Sequence, residues 1–368
     1  MRRNWRSFDW LLLITTILIV AVGVALIYSS TVSTESDEPL LEQSAVRQAL
    51  FGASGMLIIL LAAALDYHWL ESVHWPIYAV MLGMLAIVLS GGQTGFGAQS
   101  WLSVRRAIQP SELAKVLLIV VLAKFLGDHS EDLRNPRWLV GSALLTLPVV
   151  YLIYRQPDLG TALVLAGIWL GMVFAAGTPF VQLGALGLGG AAAVPAVWYA
   201  LKDYMRERIL VFVNPASDVS GISYNSQQAL ISIGSGGWFG KGFMHGTQSQ
   251  LYFLRVRHTD YAFSVLAEEF GFVGGLVLIL LIVILLWRIL RTAALAREPF
   301  GRLIACGVAT MIFVQSFVNM AVNVGILPVT GLTLPLVSYG GSSLWATLLG
   351  IGLVESVVMR HKKLEFGR

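Results

Sequence analysis

The chain has 368 residues, of which 56% are hydrophobic and only 12% charged, and its mean hydropathy is +0.74. An ordinary soluble domain carries about a quarter charged residues, so composition excludes one and points to a membrane protein. The net charge of +4 is small, so its placement matters more than its size, and the one cysteine, Cys306, excludes a disulfide framework or a thiolate metal site.

Taken in chain order, apolar runs predict membrane spans at about 10–30, 49–65, 76–90, 112–126, 138–154, 159–176, 181–201, 262–288, 303–325 and 343–359. Each is long enough to cross hydrocarbon about 30 Å thick, directly or with a short extension. The first follows Arg2, Arg3 and Arg6 but lacks a small-residue cleavage site, so it reads as a signal anchor. The expected fold is an all-α membrane protein. Residues 1–368 form one polytopic bundle of about ten transmembrane helices, with a long extracytoplasmic loop at about 202–261 between spans 7 and 8. A re-entrant outer loop is expected at about 326–342. With the N-terminus inside, the inner segments carry 14 Lys and Arg residues, while the short outer ones carry five. Both termini are therefore expected in the cytoplasm of a multi-pass inner-membrane protein. Six more cations sit in the long outer loop (Lys202, Arg206, Arg208, Lys241, Arg255 and Arg257), where topology alone does not call for them.

Four polar segments fall on the predicted outer side. The first, Gln109-Pro110-Ser111-Glu112-Leu113-Ala114-Lys115, opens the fourth span and sets Lys115 about one turn into an apolar helix. An ammonium at that depth is unfavourable unless it is paired or faces water. Either Glu112 and Lys115 form an i,i+3 structural pair with Lys115 snorkelling outward, or Lys115 lines a polar cavity and holds an anion. The second segment, Arg155-Gln156-Pro157-Asp158, places Asp158 to cap the next helix, with site roles open to Arg155 and Gln156.

The third is the long loop. Its stretch Gly234-Ser235-Gly236-Gly237-Trp238-Phe239-Gly240-Lys241-Gly242 fails the phosphate-loop pattern, because Gly rather than Ser or Thr follows Lys241. Five glycines in nine residues still let the backbone approach something closely. Further on, Asp260 follows His258 and Thr259 and directly precedes a long apolar helix, so it is either an N-cap or a membrane-surface general base. Glu268 and Glu269 lie deeper in that helix, where capping does not explain them and at least one must face protein or water. The fourth segment, 325–343, mixes prolines and glycines with apolar residues and reads as non-helical backbone at membrane depth. A basic region beside lipid suits a phosphate or pyrophosphate head group. No HExxH or paired-ligand spacing suggests a metal cage made of protein alone.

At these motifs the chain resembles the SEDS family of polytopic peptidoglycan polymerases, which includes RodA, FtsW and SpoVE. The resemblance runs along essentially the whole chain. It is carried by Gln109–Lys115, Gln156–Thr161, Gly234–Gln250, His258–Gly271 and Leu334–Ser343. His245–Gln250 and the Leu-Ala-Glu-Glu after the His-Thr-Asp are RodA-like, while the run into Ser343 is shared with FtsW-type chains. The resemblance implies an outward-facing glycosyltransferase that polymerises lipid II for cell elongation and rod shape. It would work beside a class B penicillin-binding protein and other membrane proteins of the elongation complex, with no nucleic acid partner. The family's key aspartate corresponds to Asp260, the expected general base of an inverting transfer with undecaprenyl pyrophosphate as leaving group. Lys115, with Arg206, Arg208 or Lys241, is expected to hold the pyrophosphate. No cofactor is expected in the chain itself, and a divalent cation, Mg or Mn, is a possible companion of the pyrophosphate. Glu112, Gln109, Gln228, His258, Thr259, Glu269 and Ser338 complete the expected substrate-binding set.

Two departures from the family pattern add positive charge. Leu254-Arg255-Val256-Arg257 stands where a Pro-Glu pair is common, and Val104-Arg105-Arg106-Ala107 where a glycine turn is usual. Three readings compete with an elongation polymerase: a lipid II flippase, a division-specific FtsW-type polymerase, and a scaffold that only recruits the penicillin-binding protein. A flippase needs a polar path to the inner face, whereas the inner halves of the spans are almost uniformly apolar.

Overall fold

The computed structural model describes residues 7–35, 38–91, 93–95, 98–101, 109–214, 222–251, 253–254 and 258–361. The cations Arg2, Arg3, Arg6, Arg105, Arg106, Arg255, Arg257, Lys362, Lys363 and Arg368 lie outside the described residues. The described residues are helical almost throughout. It runs through α1 (Trp10–Glu35), α2 (Ser44–Ala64), the short α3 (Trp69–Ser72) and α4 (His74–Gly91). A small antiparallel hairpin follows, β1 (Gln93–Gly95) with β2 (Ala98–Trp101). Then come α5 (Pro110–Asp128), α6 (Pro136–Arg155), α7 (Leu159–Ala176) and α8 (Phe180–Ala200). The last six are α9 (Asp203–Val213), α10 (Ile222–Gly236), α11 (Thr247–Gln250), α12 (Ala262–Leu295), α13 (Pro299–Asn323) and α14 (Gly341–Met359).

Each predicted span falls on a helix. Eight of the described helices (α1, α2, α6, α7, α8, α12, α13 and α14) are long and apolar enough to cross a membrane. The expected ten also counts α4, whose apolar stretch is shorter, and α5, which carries Glu112, Lys115, Lys124 and Asp128. α5 tolerates those charges because the bundle surrounds it: Leu118, Ile119, Leu122 and Leu126 are all fully buried. α8 is its opposite, with none of its residues buried.

In lipid, apolar contact between helices brings no hydrophobic gain, so close packing and buried polar links select the arrangement. At one end of the bundle, the Asp9 carboxylate accepts from the Leu12 amide to cap α1 and pairs with Arg288 of α12 at 2.8 Å. The Asp9 amide donates to Glu355 of α14. Nearby, His68 lies 2.7 Å from both Asp66 and Glu298. The predicted outer segments gather at the other end, and buried apolar side chains including Leu122, Ile304, Val308, Ile351 and Val354 lie between the two ends along α5, α13 and α14.

Two differences from the expected fold matter for the site. The described part of the long loop is largely helical, forming α9, α10 and α11. The eighth predicted span is not one helix, because α12 breaks at Gly271, where φ is 67° and ψ is −162°. A break in a membrane helix exposes carbonyls on one side and amides on the other, and these must find partners. The glycine-rich turn after α10 supplies them. The Lys241 and Gly242 amides donate to the Glu268 and Glu269 carbonyls, and the Phe272 and Val273 amides donate to the Gly237 and Trp238 carbonyls. The close backbone approach expected from the glycines is therefore to α12 itself. At Gly240, with φ 79°, a Cβ would clash with the Glu269 carbonyl, and at Gly271 one would meet the backbone of that turn.

Candidate functional site

Asp260 sits in the turn 258–261 that leads into α12. The N-cap position falls on Tyr261 and has no side-chain cap bond. Asn323 of α13 caps the helix instead: its Oδ1 accepts from the Ser264 amide at 3.1 Å and the Ser264 hydroxyl at 2.7 Å. The Asp260 side chain is thus left for another task.

The backbone of the turn is held at every carbonyl. The Tyr339 amide donates to the His258 carbonyl at 2.8 Å, and the Ser338 hydroxyl donates to that of Thr259. The carboxamides of Asn319 and Asn323 each donate to the Asp260 carbonyl at 2.9 Å. The His258 and Tyr339 rings meet edge to face. Segment 326–340 is non-helical and lies among protein, with Leu332, Leu334, Leu336 and Val337 buried. Gln48 of α2 anchors it further, donating to the Ser338 carbonyl and accepting from the Gly340 amide.

Burial pushes the Asp260 carboxyl up to about 6, opposed by a side-chain hydrogen bond with Thr259 and by the charge of Arg208. A half-buried carboxylate tuned to that range is poised to take a proton near neutral pH. Arg208 projects from α9 over the Tyr204 ring and donates to the Val329 carbonyl at 3.3 Å. A cavity of about 130 Å³ opens beside it, lined by Arg208, Ser223, Ser226, Gln227, Leu230 and Val329 among others. The Ser226 hydroxyl lies 3.4 Å from that of Tyr261, which joins the cavity to the Asp260 turn.

A second cluster holds Lys115. It is 1% exposed, so it does not snorkel, and its ammonium donates to Glu112 at 2.8 Å and to the Gln315 side chain at 2.9 Å. Gln315 in turn donates to the Thr333 carbonyl, and the Thr333 and Ser343 hydroxyls lie 3.1 Å apart. The Gln109 amide donates to the Ser342 hydroxyl, and its side chain reaches Asp158 at 3.4 Å. Asp158 caps α7 as expected, accepting from the Thr161 amide and hydroxyl, and burial raises its carboxyl above the usual range.

The structure therefore brings Gln109, Glu112, Lys115, His258, Thr259, Asp260 and Ser338 onto one connected framework, with Arg208 acting on Asp260 by charge. Arg206 is placed elsewhere: its guanidinium donates to the Trp198 and Tyr199 carbonyls and closes the end of α8. Lys241 donates to Glu268 at 2.9 Å and to Thr247 at 2.7 Å. Glu269 accepts from the Ser29 hydroxyl of α1, roughly 13 Å along the helix from Asp260 at 1.5 Å per residue. Gln228 does not line the cavity, whereas its neighbours Ser226 and Gln227 do. Both deep glutamates face protein and are fully buried. Glu268 also accepts from the amides of Gln248 and Ser249, so it binds the loop to the helix break.

Sequence reading missed Gln315, Asn319 and Asn323. The available signal was three carboxamides four residues apart in an uncharged span. It also missed a cluster at the opposite end. Among the described residues, His68, Glu71 and Glu298 are the one trio of side chains close enough to share a metal ion. Lys124, 3.4 Å from Glu71, already brings positive charge there.

A family model covering FtsW, RodA and SpoVE, described as cell cycle protein, matches residues 9–363. The chain is 40% identical over 316 residues to the peptidoglycan glycosyltransferase MrdB of Escherichia coli K12, covering 85% of each chain. It is 34% identical to the stage V sporulation protein E of Bacillus subtilis 168, covering 95% of this chain and 97% of that one. Among solved structures, a chain of a peptidoglycan synthase complex that coordinates polymerization and crosslinking superposes with a TM-score of 0.81. The two are 38% identical, with 97% of this chain and 99% of that one covered. The rod shape determining protein RodA of Thermus thermophilus matches with a TM-score of 0.70 and 36% identity, covering 96% of this chain and 97% of that one.

Proposed function

This chain belongs to the FtsW/RodA/SpoVE family, and from that premise we propose that it polymerises lipid II through Asp260 on the outer face of the cytoplasmic membrane. It is a membrane-embedded peptidoglycan glycosyltransferase of the cell-shape branch. The observation that carries the mechanism is the state of Asp260: its backbone is pinned on three sides while its carboxyl, raised to about 6, stays available beside Arg208.

In the proposed reaction, the Asp260 carboxylate takes the proton from the acceptor sugar's 4-hydroxyl. The oxygen attacks the donor's anomeric carbon with inversion, the bond to the diphosphate breaks, and undecaprenyl pyrophosphate leaves. Arg208 at the cavity and Lys115 in the neighbouring cluster supply positive charge for the departing diphosphate. A Mg or Mn ion accompanying it would draw its ligands chiefly from the phosphate oxygens. We place both termini in the cytoplasm and the Asp260 end outside, as the loop charges require. A class B penicillin-binding protein is the proposed partner, in keeping with the complex found for a similar chain, alongside other elongation-complex membrane proteins. The buried apolar side chains between the polar ends of α5, α13 and α14 favour an enzyme over a flippase.

Reconstitution with a class B partner and labelled lipid II tests this reading. Wild type should make glycan strands, and Asp260→Asn should not. An Asp260→Asn protein that polymerises at the wild-type rate removes Asp260 as base. Lipid II translocation without polymerisation by wild type replaces the enzyme with a flippase.

A further inference from the structure

The inward face of α13 carries Gln315, Asn319 and Asn323, each at most 1% exposed. Side chains four residues apart stand above one another on a helix, about 6 Å per step along the axis. Carboxamides at membrane depth are unfavourable unless bonded, and these reach Lys115, the Asp260 turn and the non-helical segment. Gln315 accepts from the Lys115 ammonium and donates to the Thr333 carbonyl. Asn319 donates to the Leu332 carbonyl at 2.7 Å and to the Asp260 carbonyl at 2.9 Å. Asn323 donates to the Asp260 carbonyl and caps α12 through Ser264. One helix thus holds the Lys115 ammonium, the middle of the non-helical segment and the peptide plane from which the Asp260 side chain departs.

Resting on the polymerase reading, we infer that Gln315, Asn319 and Asn323 are positioning residues that fix Lys115 and Asp260 relative to each other. Lys115 serves the diphosphate end of the donor and Asp260 the acceptor hydroxyl, and α13 sets their separation. None of the three carboxamides needs to touch substrate. A site assembled from segments as distant in sequence as α5, the 258–261 turn and 332–340 requires a common frame, and a misplacement of about 1 Å lowers a rate by about 10²-fold.

Asn319 is the cleanest probe, because it joins the Asp260 turn to the non-helical segment and caps nothing. In the full-length protein reconstituted with its partner, Asn319→Ala should lower kcat for lipid II polymerisation by about 10- to 100-fold. KM should stay within about twofold, since the effect acts on geometry rather than substrate binding. Hydrogen–deuterium exchange should quicken in both 258–264 and 332–340 while α6 and α7 stay protected. Asn319→Ser serves as the milder variant if the first does not fold. A wild-type kcat, or a rate that falls only with the folded fraction, overturns the inference, as does unchanged exchange in the two segments. Faster exchange in both segments of a protein whose wild type makes no glycan supports the ladder and overturns the polymerase reading.

Discussion

Asp260 and Glu268 stand eight residues apart on the same stretch of chain, one at the mouth of α12 and the other just before its break. Glu268 is saturated: Lys241, Thr247 and the amides of Gln248 and Ser249 all donate to its carboxylate. At Asp260 the donors converge on the backbone carbonyl, and among the described residues its carboxylate is acted on by Thr259 and the charge of Arg208. Protein donors thus occupy the Glu268 carboxylate, whereas they hold Asp260 through its backbone carbonyl. A buried carboxylate fully bonded by the protein closes a loop onto a helix, whereas one held through its own backbone keeps its proton affinity for a substrate.

The sharpest way to break this contrast is to neutralise each carboxylate in turn. Asp260→Asn should lower polymerisation by about 10²- to 10⁴-fold and leave the protein folded. Glu268→Gln should instead lower stability by about 3 kcal/mol, because it strands the Lys241 charge, with the residual rate tracking the folded fraction. Melting temperature and glycan synthesis, measured on both variants, would erase the distinction if the two behaved alike.

Lys115 tests the middle ground. Lys115→Met leaves Glu112 buried without its ammonium and should cost about 3–5 kcal/mol. Adding Glu112→Gln removes the stranded charge, so the double variant should regain most of the stability. Polymerisation by it should remain low, and recovery of the rate together with stability would make the pair purely structural. At the helix break, Gly240→Ala adds a Cβ against the Glu269 carbonyl at positive φ and should destabilise by about 1–3 kcal/mol, read as a lower melting temperature.

A further effect is on pH dependence. The folded-state pKa of Asp260 is raised, from 3.8 to about 6, so its ionisation opposes folding progressively as pH rises from about 4 through about 6. Asp260→Asn should therefore melt higher than wild type at pH 8, with the gap closing below pH 4. For wild type, kcat/KM should fall as pH drops through about 6, where the base becomes protonated. An acid limb near 4 would place the Asp260 carboxylate in water.

The motifs around Gln109, Asp158, Asp260 and Ser338 were legible because residue type and position relative to an apolar run limit what a side chain can do there. The cations were less legible. Position suggested that Arg206 and Lys241 serve a substrate anion, yet Arg206 closes α8 and Lys241 pairs with Glu268. Helix ends and breaks create carbonyl and carboxylate acceptors whose location depends on the fold. The carboxamides of α13 looked like tolerated polar residues in a span, because their partners lie on α5, the 258–261 turn and the 332–333 stretch.

Sequence by itself determined that this is a helical membrane protein and that Asp260 opens the helix after its longest loop region. Lipid requires every backbone group to be bonded within the protein, which a long apolar helix does by itself, so that demand is written locally, residue by residue. Tertiary structure decided that α12 breaks at Gly271, that the glycine-rich turn fills the break and that Glu268 is consumed there while Asp260 is left available. Each of those outcomes depends on which donor from a distant segment reaches which acceptor, and hydrogen bonds between remote segments leave no periodicity in the chain to read.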